Sequence, residues 1–115
     1  MMAGFELAGD WSYTGGFDGL TETLVISDAT ITDVGDLNGT AWTIEYDISS
    51  SDNDADQALL VVASTEGFSH YAVGEEIYMS WQLDQNVAKL YFAGGDYPIP
   101  SGGAESAAFY TYTRE

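Results

Sequence analysis

Apolar and polar residues alternate along most of this chain, a period of two that marks β-strands with one buried face. Trp42, Ile44, Tyr46 and Ile48 fall on one face of such a strand, with Thr43, Glu45 and Asp47 on the other. Ile77, Met79, Trp81 and Leu83 repeat the pattern against Tyr78, Ser80 and Gln82. Phe5, Leu7, Trp11 and Tyr13 make a third row, interrupted by Gly9. The run Leu59–Ala63 is short and carries adjacent valines, so it reads as a strand buried on both faces. Further strands are predicted at Thr21–Ile26, Thr30–Val34, Val87–Phe92 and Phe109–Arg114. No stretch has the helical period.

Turn signals separate these runs at short intervals. They are Gly15-Gly16 with Asp18-Gly19, Gly35-Asp36 with Asn38-Gly39, Ser49–Gln57, Glu66-Gly67, Asp84–Asn86 and Gly94–Gly103. Eight or nine strands with close-set turns describe an all-β domain, either an antiparallel up-and-down barrel or a β-sandwich. Sequential antiparallel pairing is the default for such short connections. The 115 residues suit one domain with a modest core, spanning 1–115. Gly94 to Ala107, which holds both prolines, Pro98 and Pro100, cannot be a central strand and reads as a long loop.

Charge narrows the field of partners. Nineteen acidic residues face two basic ones, Lys89 and Arg114, for a net charge of −17. Nucleic acid and anionic membrane surfaces are bound through many Lys and Arg side chains, so both are excluded as partners. With 45% apolar and 14% aromatic residues, the chain is too hydrophobic for a disordered acidic tail. Outside Glu75-Glu76 and the Asp52/Asp54/Asp56 group, most carboxylates stand singly between apolar or hydroxyl residues, as on solvated strand faces. High salt or a calcium-rich extracellular space would favour such a surface. Cysteine is absent, which removes disulfides, zinc-thiolate sites and a thiol nucleophile. No stretch has the length of a transmembrane helix, and no signal peptide is visible.

Catalytic chemistry has little to work with. His70 is the sole histidine, and its neighbour Ser69 would point to the opposite face of a strand. No nucleophile elbow, phosphate-binding glycine loop or His/Glu metal motif is present. Paired carboxylates for glycoside hydrolysis would be sought first at Glu22 and Glu45, which lie within strands. A chain of this size leaves little room for the cleft that chemistry needs, so the expectation is a non-enzymatic domain with no cofactor. Asp52, Asp54 and Asp56 occupy alternating positions that could turn carboxylates onto a weak calcium site, with a plain hairpin tip as the competing reading. Tyr110, Tyr112 and Arg114 share one face of the last strand, and Lys89 and Tyr91 share one on its predecessor.

Gly9-Asp10-Trp11 stands at the start of the first strong strand and Arg114 at the end of the last. That pairing resembles the signature of calycin-type barrels, the lipocalin and avidin-like families. There a Gly-x-Trp opens the first strand and a basic residue from the last packs across the indole, closing one end of the barrel. The chain also resembles small secreted or lipoprotein-type β domains of bacteria, with Trp42 as a second buried indole. It departs from the lipocalin pattern in its shorter length, its lack of disulfides and the absence of a second signature motif.

The resemblance implies structural roles for Gly9, Trp11 and Arg114, and an extracytoplasmic setting in the periplasm or at the cell surface. It also implies a small apolar or aromatic ligand held in the barrel, for which Trp81, Tyr91, Tyr110 and Tyr112 are the candidate contacts. The alternative is a structural or protein-interaction module of a surface assembly, with a protein as partner.

Overall fold

The computed structural model describes residues 5–14, 18–67, 71–93 and 109–115, and for 109 and 110 the backbone alone. Eight strands follow in order: β1 (Gly9–Tyr13), β2 (Leu20–Ile26), β3 (Thr30–Leu37), β4 (Thr40–Asp52), β5 (Gln57–Gly67), β6 (Glu76–Asp84), β7 (Val87–Ala93) and β8 (Phe109–Arg114). Each pairs antiparallel with the next, and β1 pairs with β8, so the sheet closes into a barrel. The architecture is all-β, with no helix among the described residues. Closure leaves no free sheet edge, which disposes of the sandwich alternative.

Alternation decides what faces inward. Trp42, Ile44, Tyr46 and Ile48 of β4 point into the barrel, as do Ile77, Met79, Trp81 and Leu83 of β6. Leu24, Ile26, Ile31, Leu60 and Leu90 complete the core from the other strands. β5 departs from the sequence expectation. Its inward residues Ala58, Leu60 and Val62 are buried, whereas Leu59 and Val61 are half-buried on the outer surface of a closed barrel. Register shifts between Glu45 and Tyr46 and between Ile48 and Ser50 bend the long β4–β5 pair.

Three further expectations are corrected. Gly35-Asp36 is no turn, because β3 runs through it to Leu37 and the chain reverses at Asn38-Gly39. Both turn residues have positive φ, 54° and 94°, the conformation that matches a two-residue hairpin to strand twist. β4 runs on to Asp52 where a turn from Ser49 is predicted. Phe5 and Leu7 lie outside the first strand, in a tight turn (Ala8 N to Phe5 O, 2.9 Å) that plugs one end of the barrel.

Candidate functional site

The plugged end is built from the two chain ends. Phe5 and Leu7 are buried there, with Phe5 edge-on to the Trp81 ring at 5.2 Å. The Phe5 amide donates to Asp28 Oδ1 (2.9 Å) and the Glu6 amide to Asn53 Oδ1 (3.1 Å), which ties the turn to two hairpin connections. Trp81 Nε1 donates to Glu6 Oε2 at 2.8 Å, and Trp11 Nε1 to the Leu7 carbonyl at 2.7 Å. Arg114 lies over the Trp11 ring, its Cζ 4.5 Å from the centroid, and its Nη2 donates to the Glu6 carbonyl at 2.8 Å. Gly9 opens β1 directly beside the Arg114 side chain. Indoles, guanidinium and plug thus seal this end.

The other end differs in kind. Tyr13, Leu20, Glu22, Asp33, Trp42 and Phe92 occupy inward positions yet keep partial solvent exposure. Among the described residues, these inward side chains that still meet solvent outline a recess at this end of the barrel.

Two carboxyl groups meet in that recess. Leu24 pairs with Asp33 and Glu22 with Gly35, so Glu22 and Asp33 are diagonal neighbours on the inner face of β2 and β3. Gly35 in turn pairs with Trp42. A Cβ at residue 35 would overlap the Trp42 ring, so the bare glycine lets the indole lie across β3. From there Trp42 Nε1 reaches Asp33 Oδ1 at 3.3 Å. Tyr112 Oη, from β8, donates to Glu22 Oε1 at 2.6 Å. Tyr13 stands edge-on to Tyr112 (6.0 Å), and Tyr46 edge-on to Tyr71 (6.3 Å).

The environment sets the protonation of these groups. Burial, then the hydrogen bond to Glu22, then the Glu22 charge push the Asp33 carboxyl up to about 9, against the opposing Trp42 bond. Asp33 therefore keeps its proton at neutral pH and can act as donor and acceptor. Burial also pushes the Tyr46 phenol well above its ordinary value, helped by Asp33, Tyr71, Glu22 and Glu75. Neither Lys nor Arg is near enough to offset the negative charge. Arg114 is committed at the plugged end, and Lys89 is exposed on the outer face of β7.

Sequence similarity adds nothing to this geometry. Comparisons with protein-family models, curated proteins and solved structures find no match to this chain.

The residues singled out from sequence do not converge on one site. Tyr112 lies in the recess with Glu22. Trp81 is fully buried in the plugged end. Tyr91 faces outward on β7, where it is nonetheless buried and donates to Gln82 Oε1 (3.0 Å). Tyr110 pairs with Leu90, and its side chain is outside the described set. Glu45 is exposed on the outer face, accepting from Ser64 Oγ at 3.1 Å.

Asp52 accepts hydrogen bonds from the amides of Asp54 (2.9 Å) and Ala55 (3.2 Å), so its carboxylate caps its own turn. The Asp56 carboxyl is raised by burial and by Glu6, Asp52 and Asp54. Among the described residues no three acids or histidines converge on a metal position. His70 and the segment 94–107 lie outside the described residues.

Asp33, Gly35 and Trp42 escaped the sequence reading as site residues. One signal for them existed. Leu20-Glu22-Leu24-Ile26 places a carboxylate on an otherwise apolar row, and Ile31-Asp33-Gly35 does the same on the next strand.

Proposed function

We propose that this protein is a small-molecule-binding barrel that takes its ligand in the recess opposite the plug. The observation that carries the reading is the inward, part-exposed polar set of Glu22, Asp33 and Trp42, with the buried Tyr112 hydroxyl donating to Glu22. Interior polar groups cost stability relative to an apolar core, so a fold concerned with stability alone would fill these positions with Leu or Val. A carboxyl raised by burial and set in a recess, as Asp33 is, marks a candidate functional group. The sealed opposite end, with Trp11 under Arg114, fits a calycin-type relationship, and an extracytoplasmic binding role follows from that likeness. Among the described residues no nucleophile–base pair joins the set, and the reading is accordingly binding.

The test is an amide and indole chemical-shift survey of the labelled protein against a set of small aromatic and polar compounds. Shifts concentrated at Glu22, Asp33, the Trp42 indole and Tyr112 support the reading. Shifts confined to the outer face, or none at all, overturn it.

A protein-interaction role is favoured by a separate observation. Val87, Thr113, Ser12, Thr23, Val34 and Thr43 are paired one to the next across six strands and form an outward belt of uncharged side chains, with the Glu115 carboxylate bonded to it at Ser12. Val34 and Val87 are 45% and 40% exposed. Sedimentation in molar salt would show association that Val34→Asp abolishes; a monomer at every concentration would remove self-assembly from consideration.

A further inference from the structure

We propose that the recess selects a small organic cation, an aromatic or alkyl ammonium, seated between the Glu22 and Asp33 carboxyls with Trp42 and the neighbouring tyrosine rings around it. The proposal rests on the small-ligand reading above and names its ligand class. Three features of the recess point the same way. Its hydrogen-bonding groups include two carboxyls that lie side by side, which disfavours an anion. Aromatic side chains neighbour them: Trp42 bonds Asp33, Tyr112 bonds Glu22, and Tyr13 stands against Tyr112; aromatic rings attract cations through their quadrupole. The chain supplies no cation of its own to the recess, since Arg114 and Lys89 are placed elsewhere. In the free protein that role falls to the proton that Asp33 keeps beside Glu22.

The exchange balances simply. The ammonium arrives with its charge, the Asp33 proton leaves to solvent, and both carboxylates then face the bound cation. No covalent bond other than that O–H is broken. Tyr46 on β4 and Tyr112 on β8 are the titratable groups beside the pair, with Tyr71 and Glu75, between β5 and β6, next to Tyr46 and Tyr13 on β1 next to Tyr112. Burial holds the proton on the Tyr46 phenol, and Asp33 is the group that releases its own.

Calorimetry of the full chain tests this with phenethylammonium, phenethyl alcohol and phenylacetate, each in two buffers of different ionisation enthalpy near neutral pH. A strongly acidic protein attracts any cation weakly, so Glu45→Gln, on the outer face, serves as the charge control. The expected result is ammonium binding at least tenfold tighter than the alcohol, with phenylacetate not bound and about one proton released per ligand. Asp33→Asn should abolish the proton release, Glu22→Gln should weaken binding at least tenfold, and Glu45→Gln should leave it unchanged. Alcohol binding as tight as ammonium would overturn the cation proposal while leaving the recess a ligand site. Equal losses in Glu22→Gln and Glu45→Gln would also overturn it, because they would mark surface attraction. Failure of all three probes, with an empty chemical-shift survey, would overturn both readings.

Discussion

Replacing Arg114 by alanine should cost about 2–3 kcal/mol. The guanidinium sits 4.5 Å above the Trp11 ring, a contact that contributes about 1 kcal/mol at a partly buried site. Its Nη2–H bond to the Glu6 carbonyl, charged donor to neutral acceptor, adds about 1.5 kcal/mol at the low end of such bonds. The low end applies because Arg114 is half-buried and water can replace part of what is lost. For a chain of this size about 1 kcal/mol moves the melting temperature by about 4 °C, so the fall should be about 10 °C.

Removing a cation also adds to self-repulsion. Lys89→Ala makes the same charge change on the exposed outer face and is the proper reference. Arg114→Lys keeps the charge over the indole but loses the planar fork, and should fall between the two. Melting followed by near-ultraviolet circular dichroism reads both the midpoint and the environment of Trp11 and Trp81. If Arg114→Ala melts within about 2 °C of Lys89→Ala, the guanidinium is not what closes this end.

Other outcomes follow from the recess and the charge. The unfolded Asp33 carboxyl loses its proton near its ordinary 3.8 and the folded one near 9. Its effect on stability is therefore most favourable below the lower value and is lost as pH rises toward the upper, with a slope of at most about 1.4 kcal/mol per pH unit. Urea unfolding across that window should show Asp33→Asn flattening the slope and overtaking the wild type in mildly alkaline buffer; parallel slopes would refute the account. Gly35→Ala should cost about 1–3 kcal/mol and red-shift tryptophan emission, because a Cβ displaces the Trp42 ring; an unchanged spectrum would contradict it. The melting temperature should rise from dilute buffer to molar salt as repulsion is screened, and a flat response would argue against repulsion. Calcium should raise it no more than magnesium at matched ionic strength, since the Asp52 carboxylate is held by its own turn; a calcium-specific rise would reinstate the aspartate cluster as a site.

The strands were legible because a closed barrel has one inside, and the period of two reports it directly. Trp42-Ile44-Tyr46-Ile48 and Ile77-Met79-Trp81-Leu83 point inward as their spacing requires. Local rules failed where a residue's role depends on a partner strand. Gly35-Asp36 has the composition of a turn, yet Gly35 is flat so that an indole from β4 can cross it. Phe5 and Leu7 fit the first strand by spacing, but they turn across the barrel end because Asp28 and Asn53 hold their backbone there. The recess was half visible. The sequence places Glu22 as an acid within a strand, but its neighbour Asp33 is brought beside it by register, and register is set by the whole sheet.

Among the described residues every strand pairing but one joins neighbours in sequence. The exception is β1 against β8, where Trp11, Ser12 and Tyr13 meet Arg114, Thr113 and Tyr112 across about a hundred residues of chain. Seven hairpin-like pairings can form locally and early, whereas this seam forms only once the curved sheet brings its ends round. With three paired positions it is also the shortest ladder in the barrel, so transient opening should begin there. Tyr112 and Tyr13 belong to both the seam and the recess. The last contact to form during folding is thus the first to loosen in the native state, and amide exchange at Ser12 and Thr113 would report how often the interior is briefly uncovered from the side.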